Sequence, residues 1–223
     1  MLAKKIVVGT FQCNCRILVC PVTGEALIVD PGDEPLQILK ALEGIKTSAG
    51  LSVRVKYLFH THGHLDHIGG TRTVRESLSE ARPQIVLHRS DEPLYSSLKM
   101  QGQLFGKQYE EPLSVDHYIQ DEEEMQVGQL KLSVLHTPGH SPGSVCLRLH
   151  QDTALGVPEV LFTGDTLFQG SVGRTDLWGG DQDQMFQSIH QRLLVLDGDT
   201  QVCPGHGADT QMGIEKLQNP FLQ

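Results

Sequence analysis

The chain has 223 residues, 39% of them hydrophobic and 20% charged, which suits one globular domain with a sizeable core. Its formal net charge of −9 argues against a nucleic-acid backbone as partner, because phosphate binding needs clustered Lys and Arg. No run is long enough for a transmembrane helix, and the N-terminal apolar run Ile6 to Val8 is too short for a secretory signal core. The five cysteines are an odd number with no CxxC pair, so they read as packing residues in a reducing compartment, and the expected location is cytoplasmic.

In chain order, Arg16 to Cys20 and Ala26 to Val29 read as short strands split by the turn Pro21-Val22-Thr23-Gly24. Asp30-Pro31-Gly32-Asp33 ends the second strand. Leu36, Leu39 and Leu42 then give helical spacing over Pro35 to Leu42. Val53 to Phe59 is the next strand and runs into the densest histidine cluster of the chain. A helix follows over Thr71 to Leu78 and a strand over Gln84 to His88. Residues 99–128 hold scattered glycines, the acidic run Asp121 to Glu124 and few apolar repeats, so they read as a surface excursion, a flap beside the site. Leu130 to Leu135, Ser144 to Leu149 and Glu159 to Phe162 are further strands. Gln184 to Leu196 has helical spacing, and Gln201 to Cys203 is a last short strand. No linker divides the chain, which predicts a single domain over 1–223.

The chemistry-bearing segment is His60-Thr61-His62-Gly63-His64-Leu65-Asp66-His67. Thr137-Pro138-Gly139-His140, Thr163-Gly164-Asp165-Thr166 and Pro204-Gly205-His206-Gly207 join it, each where a strand gives way to a loop. His62 and His64 are two residues apart and point the same way on an extended strand end. Asp66 and His67 follow as the chain turns toward a helix and aim a second pair elsewhere. Imidazole and carboxylate suit zinc and other borderline divalent ions. A lone histidine reads first as a packed or surface residue, but five imidazoles and two carboxylates at loop positions exceed what one tetrahedral ion needs. His60, one residue before the motif, should face away and pack.

His62-x-His64-x-Asp66-His67, followed in order by His140, Asp165 and His206, resembles the signature of the metallo-β-lactamase superfamily over nearly the whole chain. The resemblance implies an α/β (α+β) fold, an αββα sandwich of two mixed sheets with helices outside. It implies two zinc ions, with iron or manganese as other occupants. His62, His64 and His140 would hold the first, Asp66, His67 and His206 the second, and Asp165 would bridge them. Val29-Asp30-Pro31-Gly32, Gly173-Arg174-Thr175-Asp176 and the closing Asn219-Pro220-Phe221-Leu222 are similar to short members of the glyoxalase II-like branch. Longer members carry a C-terminal helical domain that supplies part of the glutathione-binding surface; no such domain is expected within 1–223.

The reaction expected from that branch is hydrolysis of S-lactoylglutathione or a related small thioester by a monomer or small homo-oligomer. A hydroxide shared by the two ions would be the nucleophile, with Asp66 accepting a hydrogen bond from it. Asp30 reads either as an orienting partner of a ligand, with Thr61, or as an Asx-type turn residue. Arg174 reads either as a contact for a substrate carboxylate or as a loop staple to Asp176 or Asp181. Two other functions fit the same signature. A mononuclear iron dioxygenase acting on glutathione persulfide would use His62, His140 and Asp165. A phosphodiesterase or RNA-processing nuclease fits the fold but not the acidic balance.

Overall fold

A computed structural model describes residues 2–47 and 50–223; the single-domain expectation also spans Met1, Ser48 and Ala49, which lie outside the described residues. Two six-stranded mixed sheets carry the structure. The first runs in sequence order: β1 (Leu2–Val8), β2 (Cys13–Val19), β3 (Glu25–Val29), β4 (Arg54–Phe59), β5 (Gln84–His88) and β6 (His117–Ile119). Its first three strands are antiparallel neighbours, and β3 to β6 are parallel. The second sheet contains β7 (Glu124–Val127), β8 (Leu130–His136), β9 (Val145–Leu149), β10 (Val160–Gly164), β13 (Gln201–Pro204) and β14 (Thr210–Gln211), in the order 14-13-10-9-8-7. A small ribbon of β11 (Leu167–Phe168) and β12 (Ser171–Val172) follows β10.

Alternation along the strands sorts the core into layers. Leu18, Leu27, Val29, Phe59 and Val86 of the first sheet meet Leu132, Val134, Leu147 and Val160 of the second in the central layer. The intervening Ile17, Val19, Ile28, Leu58 and Leu87 face the other way, onto Ile38, Leu42, Val74 and Leu98 of the outer helices. Leu135, Leu161 and Val202 form a third layer with Met185, Ile189 and Met212. Strands buried on both faces need apolar residues at consecutive positions, which is why Ile17 to Val19 and Ala26 to Val29 read as unbroken runs. The expected sandwich of two mixed sheets flanked by helices is the observed architecture.

The helices are short: α1 (Pro35–Glu43), α2 (Leu65–Ile68), α3 (Thr71–Ser77), α4 (Glu92–Ser96), α5 (Leu98–Leu104), α6 (Gln182–Ser188) and α7 (Met212–Gln218). The helix expected over Gln184 to Leu196 starts two residues earlier, on the Asp181 cap, and widens after Ser188 into a π-type stretch to Leu193. The flap expectation for 99–128 needs correction. Its start belongs to α5, and its end supplies the edge strands β6 and β7 of the two sheets. Edge strands this short bury few side chains (Ile119 in β6, Met125 and Val127 in β7), so they leave little apolar pattern to read. Residues 105–116 and 120–123 lack regular structure. No helix among the described residues is long and apolar enough to cross a membrane.

Candidate metal centre

The C-terminal ends of β3, β4, β5, β8, β10 and β13 face one edge of the sandwich. The parallel pairing of β3, β4 and β5, and of β10 with β13, imposes this within each sheet. Across the sheets, the start of β2 meets the end of β13: Asn14 N–H donates to Gly205 O at 2.7 Å, and Cys13 bridges to His206. The Asn14 side chain clamps the same loop, donating to Pro204 O and Gly207 O at 3.0 Å each. Val145 N–H donates to Thr61 O at 2.9 Å, so the loops after β4 and before β9 are also tied. Rigid sheets thus deliver the loops that carry His62 to His67, His140, Asp165 and His206 to one point.

Those seven side chains converge. His62, His64 and His140 form one group of potential ligands; Asp66, His67 and His206 form another; His62, His67 and Asp165 form a third between them. In each group the donor atoms lie within 4.8 Å of one another. His64 Nδ1 and His140 Nε2 are 2.9 Å apart, and His67 Nε2 and His206 Nε2 are 3.3 Å apart. Asp165 reaches both sides, 3.7 Å from His140 Nε2 and 3.5 Å from His67 Nε2 and His206 Nε2. Gly205 is required here, since a Cβ on it would stand 2.4 Å from Asp165 Oδ1.

The hydrogen bonds behind the ligands set which ring atom points inward. Asp30 is buried in a left-handed conformation, and its Oδ2 accepts from Thr61 Oγ1 at 2.8 Å and from His67 Nδ1 at 2.9 Å. The Thr61 hydroxyl oxygen in turn accepts from His62 Nδ1 at 3.1 Å. One carboxylate therefore orients two imidazoles and leaves Nε2 of each as a free lone pair. Of the two readings of Asp30, orientation of ligands is the one observed. His140 Nδ1 donates to Arg174 O at 2.8 Å, which leaves its Nε2 facing the cluster.

Asp91 was not singled out in the sequence. It is fully buried between two ligand loops, accepting from Gly63 N–H at 2.8 Å, Ser141 Oγ at 2.7 Å and Gly143 N–H at 2.5 Å. Gln101 is a second such residue, accepting from Leu65 N–H and donating to Gly63 O and Leu94 O. An Asp-Glu-Pro helix start and a lone Gln carry no local mark of these roles. His60 packs as expected: it sits outside the cluster, bonded to Val86 O and Thr71 Oγ1.

Burial by itself would lower His67 and His206, but Cys13 and the neighbouring carboxylates carry His67 well above its ordinary pKa, and Asp66 and Asp165 carry His206 upward. Burial pushes His62 well below its ordinary pKa and His64 down to about 3, with the neighbouring imidazoles adding to both shifts. Burial alone would raise the Asp66 carboxyl, but His67 and His206 outweigh it and hold the group below the usual carboxylate range. His62 and His64 are thus held neutral and Asp66 ionised, the states in which they bind metal. His62 Nε2 and Asp165 Oδ1 are buried with no hydrogen-bond partner. Native proteins rarely leave such atoms orphaned, and an ion among these groups would satisfy both. The donor set fits divalent metal.

His64, Asp66, His140, Asp165 and His206 floor a cleft of about 350 Å³, with His62 and His67 buried beside them. Phe11, Leu104, Phe105, Leu177 and Trp178 stand around it with Arg174. Arg174 makes the staple, donating from Nε and Nη2 to Asp176 at 2.7 and 2.8 Å, while Asp181 instead caps α6. The cysteines are all buried and free, and none belongs to a ligand group among the described residues.

Comparison with known proteins agrees with this geometry. The family model of the metallo-beta-lactamase superfamily matches residues 8–206. Hydroxyacylglutathione hydrolase GloC of Haemophilus influenzae is 35% identical over 97% of this chain and 96% of its own. The crystal structure of BLEG-1 B3 metallo-beta-lactamase superposes with a TM-score of 0.84 at 35% identity, covering 100% of both chains. TTHA1623, solved in a di-iron-bound form, superposes with a TM-score of 0.79 at 33% identity, covering 98% of this chain and 100% of its own. With the family matched from β1 to the last histidine of the cluster, the chain belongs to the metallo-β-lactamase superfamily and is one of its metallo-hydrolases.

Proposed function

We propose that this protein is a dinuclear metal-dependent thioesterase of the glyoxalase II type, acting on S-lactoylglutathione or a related small thioester. The observation that carries the reading is the convergence of His62, His64, His140, Asp66, His67, His206 and Asp165 as adjoining ligand groups at the floor of one cleft. The 35% identity to GloC over nearly both full lengths supports the thioester class.

His62, His64 and His140 would hold one ion and Asp66, His67 and His206 the other, with Asp165 between them. When bound, divalent ions bring the pKa of a water near neutrality and polarise a substrate carbonyl. The protein's part is to keep this apparatus oriented and charged. Asp30 holds His67 directly and His62 through Thr61, so both present Nε2. Asp66, ionised and 3.1 Å from His206 Nε2, would accept a hydrogen bond from the attacking hydroxide and hold it in line. Cys13, Cys146 and Cys203 do not compete as nucleophiles, because burial pushes each thiol up to about 12, far from the thiolate form.

Elemental analysis of the purified protein, combined with a thioester panel, tests the reading. It expects two ions per chain and turnover of S-lactoylglutathione without oxygen uptake. A single iron per chain with oxygen uptake on glutathione persulfide would replace it with the dioxygenase reading. Full metallation with no thioester turned over would leave the family assignment and remove the substrate.

A further inference from the structure

We propose that the cleft selects thioesters by an apolar acyl group, aromatic or aliphatic of roughly four to eight carbons, in preference to the hydroxyacyl group of lactoylglutathione. The inference rests on the thioesterase reading for its reaction but on separate residues for its selectivity. Large apolar side chains are strongly exposed at the mouth: Phe11 at 37%, Phe105 at 55%, Trp178 at 64% and Leu104 at 77%. They come from three separate parts of the chain, the β1–β2 turn, the end of α5 and the loop before α6, yet line one opening onto the ligand groups. Phe11 and Phe105 pack edge to face with centroids 5.2 Å apart, so this side of the rim is a formed surface. A contiguous apolar patch continuous with a polar site marks a ligand surface.

Charge decides which part of the substrate lies there. Arg174 is the one Lys or Arg lining the cleft among the described residues, and Asp176 already engages it through two hydrogen bonds. Lys107 stands 5.6 Å from the Phe11 ring and is bound to Asp33 at 2.5 Å. A glutathione carrier bears two carboxylates and finds no unpaired cation here. Its acyl end is the uncharged part, and the aromatic rim removes from water whatever apolar surface that end presents. A lactoyl hydroxyl gains no partner from Phe11, Leu104, Phe105 or Leu177.

Trp178 is the only tryptophan of the chain, so its emission reports the mouth directly. The metal-loaded protein is titrated with S-methylglutathione and S-hexylglutathione, thioethers that place an alkyl group where the acyl group would be. S-hexylglutathione should bind at least tenfold more tightly and shift Trp178 emission to the blue. Equal affinities with unchanged emission overturn the inference. Hydrolysis is then compared for acetyl, butanoyl and hexanoyl thioesters of glutathione and of the neutral carrier N-acetylcysteamine. kcat/KM should rise about threefold per methylene with either carrier until the cleft is filled. Phe105→Ser should flatten that series, whereas Leu217→Ser, at an exposed position on α7, should leave it steep. A flat series with measurable turnover overturns the inference and spares the thioesterase reading. The binding contrast without turnover of any thioester removes the thioesterase reading and retains the apolar site. Concentration-dependent dimerisation with Trp178 emission already blue in the free protein would assign the patch to a second copy of this chain and overturn the inference.

Discussion

The floor and the rim of the cleft line one opening and are held in different ways. At the floor, His67 is fixed by Asp30, His62 by Thr61 and His140 by a backbone carbonyl, while Asp91 locks Gly63 to Gly143. At the rim, Leu104, Phe105 and Trp178 stand largely in water, and the Arg174–Asp176 pair is itself exposed. Catalytic geometry needs pre-organised groups whose neighbours cannot relax. Selection of an apolar group needs surface, and surface tolerates change. Substitutions at the floor should therefore act on metal and stability, and those at the rim on KM.

The largest effect is expected at Asp165. Asp165→Ala removes the one carboxylate that reaches both ligand groups. It should lower metal content below two ions per chain by elemental analysis and cut kcat/KM by more than ~100-fold, beyond what loss of a ligand's supporting partner costs. Retention of two ions would break the view of the floor as one coupled unit.

Next comes Asp91→Ala, which touches no ligand side chain. It leaves the Gly63 and Gly143 N–H groups buried without their acceptor and the Ser141 hydroxyl with Ser144 Oγ alone. Orphaned buried donors cost roughly 1–3 kcal/mol each. Two such donors come to about 2–6 kcal/mol, and at about 2–4 °C per kcal/mol in a chain of this size Tm should fall by about 4–24 °C in a thermal melt. An unchanged Tm would show that the loops are held without it.

A smaller, pH-dependent effect belongs to His60. Burial pushes its pKa down to about 4 from an ordinary 6.5, so the unfolded chain binds the extra proton between those values. Stability from the neutral ring is fully present above about pH 6.5 and falls as pH drops toward 4, by up to ~3 kcal/mol. His60→Gln should be less stable at pH 7 but show a flatter decline between pH 6.5 and 4. Parallel Tm–pH curves for the two proteins would contradict this. The smallest effect is at the rim. Arg174→Ala breaks an exposed ion pair, so Tm should stay within experimental error. KM for glutathione thioesters should change by less than about threefold, and a tenfold rise would mean that Arg174 leaves Asp176 to meet the carrier.

The cluster of donor side chains was legible because metal chemistry restricts residue type and spacing together. His62-x-His64 lies in the bend between β4 and α2 and still brings two imidazoles into one donor group, and few structural needs produce Asp66-His67 directly after it. The paired β-strands were legible where both faces are buried, since that forces consecutive apolar residues. β6, β7 and the turn after α5 were not, and appeared as one featureless stretch over 99–128. Short edge strands bury one or two side chains each, and the pairing that defines them comes from distant neighbours in the sheet.

The sequence by itself determined the metal-binding chemistry, the strands that carry it and, by resemblance, the family. Tertiary structure alone decided what surrounds the metal centre. Asp91 became a tie because the Gly63 and Gly143 loops, far apart in the chain, meet across it. Phe11, Phe105 and Trp178 became one surface because three segments with no mutual pattern converge on a single edge of the sandwich. A donor atom bound for a metal must be of a particular element in a particular direction, and that leaves a mark in the local sequence. An apolar wall or a buried hydrogen bond asks only that some suitable group arrive, and its arrival is decided by the packing of the whole chain.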